Sequence, residues 1–141
     1  MRKTTFLAAL TAIIGLAAGV ALAHETGPHQ GPVAEWGEEE YHVEVVPDTK
    51  GGTVSVYVYG SEDDLAKGKS KPIDSKTLTL SLKTTPPVTL KLEPKPAKDD
   101  PAGKSSVFVG KHDVFGKAAK LEGTVSGKVG TKPYSGDFKQ K

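Results

Sequence analysis

Short segments in which apolar and polar residues alternate recur along most of this 141-residue chain. Alternation with a period of two is typical of a β-strand that buries one of its faces. The clearest examples are residues 54–58 and 77–82, where valine or leucine alternates with Ser, Thr or Tyr. Turn-forming Gly and Pro separate the segments at intervals of about ten residues. The seven predicted strands begin near Tyr41, Val54, Thr77, Val88, Ser105, Leu121 and Tyr134.

Seven short strands with almost no helix predict an all-β fold, a seven-stranded antiparallel β-sandwich of the immunoglobulin-like kind. A small closed barrel is the main alternative. The Cys–Trp–Cys pattern of antibody domains is absent, since the chain has no cysteine and its single tryptophan, Trp36, precedes the first predicted strand. The likeness to immunoglobulin domains is therefore one of topology. We expect the sandwich at residues 38–141, a surface loop at residues 60–71 and one turn of helix within residues 111–120.

Residues 1–23 have the three parts of an export signal. Arg2 and Lys3 provide the positive start, an apolar stretch follows, and Ala21-Leu22-Ala23 provides a small-residue cleavage motif. A retained membrane anchor is the alternative, because the apolar stretch approaches the ~20 residues that span a bilayer. We expect cleavage after Ala23, and hence a periplasmic or secreted protein that begins at His24 and has no membrane segment.

Composition excludes several kinds of site. Loss of Arg2 and Lys3 with the signal lowers Lys+Arg from 19 to 17, which equals the 17 Asp+Glu, so the mature chain would not be basic. It would also contain no arginine, and we therefore expect no nucleic-acid partner. Without cysteine there is no disulfide and no thiolate metal site. The one methionine is Met1, so thioether ligands for Cu(I) would leave with the signal as well.

An enzymatic function is not expected from this sequence. Acyl transfer through a strand-to-helix nucleophile would require a Gly-x-Ser-x-Gly elbow, and the chain has none. Paired carboxylates occur at Asp63-Asp64 and Asp99-Asp100, but both pairs lie in lysine-rich segments. Solvation in surface loops is their simplest interpretation.

Residues 24–37 are rich in Gly, Pro, His and Glu, and they show no apolar period. We predict an extended arm here that contacts the core through Val33 and Trp36. Residues 24–48 contain seven acidic residues and no Lys or Arg. Such a segment either raises the local concentration of cations or lies against the lysine-rich remainder of the chain and neutralises it.

The four histidines are the candidate metal ligands. A newly exposed His24 would offer both its α-amine and its imidazole, which are good ligands for Cu(II) or Zn(II). His29 can fold back toward it, since Gly27-Pro28 predicts a turn. His42 is expected on the polar face of the first predicted strand and need not be buried. His112 is remote in sequence and joins only if its loop reaches the same end of the domain. For any one histidine, a solvated or hydrogen-bonded side chain is the simpler interpretation.

Two resemblances follow from these residues. The predicted mature chain resembles the periplasmic copper-binding CopC-like proteins, because it would be exported, begin at His24 and form a small sandwich without cysteine. Separately, residues 27–32, 39–44, 103–109 and 130–136 are similar to stretches of uncharacterised exported bacterial domains. Those stretches accompany the periplasmic adaptor subunits of heavy-metal efflux systems. The resemblance implies a metal ion, and an envelope or efflux-system protein, as partners.

Together these features predict an exported periplasmic domain that binds or buffers a divalent transition metal, Cu(II) or Zn(II), through His24, His29 and His42. The alternative is a metal-independent protein-interaction or scaffold domain of the cell envelope. In that case the outward-facing Tyr57 and Tyr59 would be the contact residues, although two tyrosines on one strand face often pair across a sheet instead.

Overall fold

The computed structural model describes residues 26–117 and 120–141. The predicted export signal, His24 and Ala118 lie outside the described residues. The described residues contain eight strands, one short α-helix, α1 (Glu62–Lys67), and one 3-10 turn (Asp113–Gly116). The strands are β1 (Val33–Trp36), β2 (Tyr41–Asp48), β3 (Thr53–Tyr59), β4 (Leu78–Leu82), β5 (Val88–Pro94), β6 (Val107–Lys111), β7 (Glu122–Val129) and β8 (Lys132–Lys139).

All eight strands belong to one antiparallel sheet with the order β1-β2-β3-β6-β5-β4-β7-β8. The sheet is nearly closed and barrel-like, because β1 lies against β8. Contact at this seam is tight: a side chain at Gly136 would collide with the carbonyl group of Glu35. By contrast, β5 and β6 pair at only two positions, Glu93 with Val109 and Pro94 with Phe108.

The prediction of an all-β antiparallel fold is confirmed, but a seven-stranded sandwich is not. The additional strand is β1, which lies inside the segment predicted as an arm. Four residues flanked by Gly and Pro are too few to display a period of two. Trp36, at the end of β1, is fully buried, as predicted for a residue that contacts the core.

The barrel core follows from the alternation within each strand. Val43 and Val45 of β2 lie opposite Val58 and Val56 of β3, and all four are fully buried. Phe108 of β6 is buried beside Val56. Other fully buried members of the core are Ala34, Trp36, Val54, Leu78, Leu80, Leu92 and Val125.

Two glycines in β7, Gly123 and Gly127, allow close packing of the sheet. A side chain at Gly123 would collide with the carbonyl group of Ser81 on β4, and one at Gly127 would collide with Leu78. Added atoms in such positions force neighbouring groups to shift. Contact with the β4 backbone therefore requires glycine at position 123, whereas a side chain at position 127 would have to displace the side chain of Leu78.

The prediction of a loop at residues 60–71 is wrong for residues 62–67, which form α1. Ser61 caps the first turn by accepting the N–H of Asp64, and Gly68 ends the helix in a left-handed conformation (φ 69°). Both are recognised helix-boundary signals. The predicted helical turn within residues 111–120 is confirmed as a 3-10 turn that buries Phe115. Within residues 26–117 and 120–141, no helix is long and apolar enough to cross a membrane.

Candidate functional site

The outer face of β2 and β3 carries four polar or aromatic side chains. Register places Glu44 opposite Tyr57 and His42 opposite Tyr59, on the side of the sheet that faces away from the core valines. This orientation agrees with the predicted alternation. However, Glu44 is fully buried, and His42 and Tyr59 are each 2% exposed. The expectation that His42 need not be buried is therefore wrong, because other parts of the chain cover this face.

The cover consists of residues 26–32, which we call the arm loop, together with α1. The first and last residues of the arm loop form an isolated β-bridge. The N–H of Gly27 donates to the carbonyl of Gly31 at 2.9 Å, and the N–H of Gln30 donates to the carbonyl of Gly27 at 2.9 Å. Pro28 occupies the second position of the resulting turn, where its fixed φ is favourable. The turn predicted at Gly27-Pro28 is thus confirmed.

Glu44 is the residue that holds the arm loop on the sheet. Its Oε2 accepts the backbone N–H groups of His29 and Gly31, at 2.8 and 2.9 Å. Its Oε1 lies 2.9 Å from Nδ1 of His29 and accepts the hydroxyl of Tyr59 at 3.2 Å. Four partners match the acceptor capacity of an ionised carboxylate. A buried charge becomes tolerable when it is hydrogen-bonded in this way.

Tyr59 contributes to the same cluster as a hydrogen-bond donor. Burial of the phenol raises the pKa of Tyr59 well above its ordinary value, and the neighbouring charge of Glu44 raises it further. Tyr59 consequently remains protonated at physiological pH and can keep donating to Glu44.

His29 is the histidine of this cluster that reaches solvent. Its ring stacks on Tyr57, with ring centroids 3.9 Å apart and planes inclined by 12°. Its side chain remains 44% exposed although Nδ1 contacts the fully buried carboxylate of Glu44. Among the described residues, the other ring nitrogen, Nε2, has no hydrogen-bond partner. An imidazole held by one nitrogen and open at the other is the usual arrangement of a metal-ligating histidine.

Of the other predicted ligands, His42 and His112 have hydrogen-bond partners of their own. The buried ring of His42 has Nδ1 2.8 Å from the carbonyl oxygen of Gly60. His112 caps the 3-10 turn, with Nδ1 accepting the N–H of Val114 at 3.0 Å. Its backbone N–H donates to the carbonyl of Gly52, at the end of β3 opposite Tyr59, and the length of β3 separates these ends by roughly 20 Å. His112 therefore does not join His29.

No group of three or more His, Cys, Asp or Glu side chains within residues 26–117 and 120–141 is arranged to hold a metal ion. His29 supplies one exposed imidazole, so a metal site here requires further ligands. A cleft of about 390 Å³ opens between the arm loop and α1, where Thr26, Glu62 and Leu65 line it. Thr26 lies two residues after His24 in the sequence.

Sequence reasoning missed the central role of Glu44. The residue was counted only as one of the seven acids of residues 24–48, and Tyr57 and Tyr59 were predicted to face outward. A signal was available: Glu44 is the one carboxylate between valines in the middle of a strand, and its neighbour across the predicted hairpin is an aromatic residue. A charge in that setting requires dedicated hydrogen-bond donors.

Comparison with known proteins yields no match: no protein-family model, no curated protein and no solved structure matches this chain. The resemblances to CopC-like proteins and to efflux-associated exported domains therefore stay predictions. On the covered face, His29 contacts Glu44 through both its backbone N–H and its ring.

Proposed function

We propose that this chain is an exported domain that binds a divalent transition metal, Cu(II) or Zn(II), for buffering or delivery. The ligands are the imidazole of His29 and, after cleavage of the export signal, the α-amine and imidazole of His24. One observation carries the proposal. His29 is fixed by Glu44 through Nδ1, while its side chain is 44% exposed and Nε2 has no partner among the described residues.

The two candidate ligands are close in the sequence. His24 precedes Thr26 by two residues, and two residues of extended chain span at most about 7 Å. Thr26 is bridged to Pro32, and the turn at Gly27–Gln30 reverses the chain between them. A shared site requires His24 to approach the loop that carries His29.

The ligand set accounts for the class of metal. Imidazole and amine nitrogens suit Cu(II) and Zn(II), and Cu(II) binds most tightly by the usual affinity order. Three nitrogens leave at least one coordination position open to water or to a partner protein. Incomplete coordination supports reversible binding, as buffering or delivery requires. An envelope or efflux-system protein that accepts the ion is the partner expected in this case.

Metal titration of correctly processed protein tests the proposal. Cu(II) and Zn(II) are added to protein that begins at His24, to the same protein with one alanine ahead of His24, and to His29→Gln. We expect the extension and His29→Gln each to weaken binding more than tenfold. His112→Gln is the matched control, because His112 is exposed and remote from the arm loop. Acidification to about pH 5 should also weaken binding, since the ligand nitrogens must be unprotonated.

Equal and negligible binding by all of these proteins would contradict the metal proposal. It would favour the alternative, a metal-independent interaction or scaffold domain. Tyr57 and Tyr59 would then not be an exposed contact pair, because the ring of His29 stacks on Tyr57 and Tyr59 is buried.

A further inference from the structure

The hydrogen bonds of Glu44 hold the arm loop and also contact the ring of His29. We infer that Glu44 is a positioning residue that keeps the proton of the neutral His29 ring on Nδ1 and leaves the lone pair on Nε2. The inference deepens the proposed metal site and rests on that site for its consequence in metal binding. The protonation pattern itself is a property of the metal-free protein.

The orientation of the Glu44 carboxylate does not depend on the His29 ring. Two backbone N–H groups, those of His29 and Gly31, donate to Oε2 at 2.8 and 2.9 Å. Oε1 must then face the ring, where it lies 2.9 Å from Nδ1. An ionised carboxylate only accepts hydrogen bonds, so the nitrogen facing it carries the proton. In a neutral imidazole the second nitrogen is then the acceptor.

The ring itself has little freedom to turn. Its face stacks on Tyr57 at a centroid distance of 3.9 Å. The hydroxyl of Tyr59 lies 3.4 Å from Nδ1 and 3.2 Å from Oε1 of Glu44, at the same ring edge. Rotation of the ring by half a turn would place a carbon atom against the carboxylate and lose this contact. Nε2 is consequently held on the exposed part of the side chain.

Glu44→Gln distinguishes orientation of the ring from docking of the loop. The glutamine carbonyl can still accept the N–H groups of His29 and Gly31, whereas its amide group would face Nδ1 as a donor. Nδ1 would then become an acceptor, and the proton would move to Nε2. The variant should thus reverse the tautomer while the arm loop stays in place.

Long-range nitrogen–proton NMR spectra of the metal-free protein, recorded where His29 is neutral, measure the tautomer directly. We expect the Nδ1–H form in the wild-type protein and the Nε2–H form in Glu44→Gln. Tyr59→Phe is the matched control, because it retains the carboxylate and should retain the Nδ1–H form. The amide resonance of Gly31 reports whether the loop remains docked. In metal titrations, Glu44→Gln should weaken binding by about 10- to 100-fold.

An Nε2–H form in the wild-type protein would overturn the inference without any variant, and so would an Nδ1–H form in Glu44→Gln with its loop docked. Unchanged metal affinity in a Glu44→Gln protein with a reversed tautomer would overturn the metal-binding consequence. Wild-type protein that has the Nδ1–H form but binds no metal would support the positioning role and contradict the proposed function. The two claims can therefore fail separately.

Discussion

The indole N–H of Trp36, on β1, donates a hydrogen bond of 3.0 Å to the carbonyl oxygen of Val125, on β7. The two residues are 89 positions apart in the sequence and both are fully buried. The indole also contacts the sites of Gly127 and Gly136, where side chains are absent. One tryptophan thus connects the first strand to the last two strands of the sheet.

Replacement of this indole should destabilise the domain. Trp36→Phe removes the donor to Val125 and leaves unfilled volume, and the two effects together should cost about 2–4 kcal/mol. Urea unfolding followed by circular dichroism measures the change. Tyr41→Phe serves as the control, because Tyr41 is only partly buried at the same aromatic cluster, and we expect a change within about 0.5 kcal/mol. Equal effects of the two substitutions would contradict a special role for Trp36.

The seam between β1 and β8 should not tolerate an added methyl group. In Gly136→Ala, the new carbon would collide with the carbonyl group of Glu35 and lie 3.1 Å from the Trp36 ring. Displacement of β1 should lower the free energy of unfolding by about 1–3 kcal/mol and change the fluorescence of Trp36. Gly116→Ala is the control, since the nearest atom, the carbonyl oxygen of Thr49, lies 3.8 Å away. A Gly136→Ala protein with wild-type stability and fluorescence would show that the seam can open without cost.

Gly27 should be required for docking of the arm loop. A β-carbon there would lie 2.6 and 2.7 Å from the two carboxylate oxygens of Glu44, which four hydrogen bonds hold in place. In Gly27→Ala we expect the loop to move away and the amide of Gly31 to exchange with solvent at least tenfold faster. Gly51→Ala is the control. Its added β-carbon would lie 3.4 Å from the nearest atom, a carboxylate oxygen of Asp48, which is an ordinary contact distance, and exchange at Gly31 should not change.

The pH dependence of stability should include a contribution from Glu40. Hydrogen bonds from Lys132 and Tyr134, each 3.0 Å long, lower the pKa of Glu40 below its ordinary value. Because the carboxyl pKa is lower in the folded state, Glu40 stabilises the folded protein at pH values above about 4.3, the pKa of a glutamate in the unfolded chain. This contribution is lost as the pH falls through the pKa of Glu40 in the folded protein. The hydrogen bond to Glu40 raises the pKa of Lys132, so that residue's contribution is present below about pH 10.4 and is lost as the pH rises further.

A double-mutant cycle of Glu40→Gln and Lys132→Gln isolates this pair. Thermal unfolding of the four proteins at about pH 7 should show a favourable coupling, which should vanish at about pH 2.5, where the carboxyl is protonated. Both side chains are largely exposed, so the coupling should also decrease in high salt. A coupling that persists unchanged in acid would contradict an ionic origin.

Several elements could be predicted from sequence because their signals are local. The alternation in residues 54–58 identified β3, and the alternation in residues 77–82 identified β4, whose Leu positions are buried as expected. The Gly27-Pro28 pair indicated the turn of the arm loop. Strand β1 and helix α1 were missed, since four and six residues are too short to show a period against their Gly-, Pro- and Lys-rich surroundings.

Periodicity alone assigned the outer side of β2 to His42 and Glu44, and it assigned Tyr57 and Tyr59 to the same side of β3. Only the tertiary structure decided that this side is covered, that Glu44 is buried and that the His29 side chain in contact with it stays partly exposed. The physical reason is that a period of two reports which way a side chain points and carries no information about what lies above it. The arm loop reaches Glu44 from 13 and 15 positions away, through hydrogen bonds whose partners are set by folding and not by spacing.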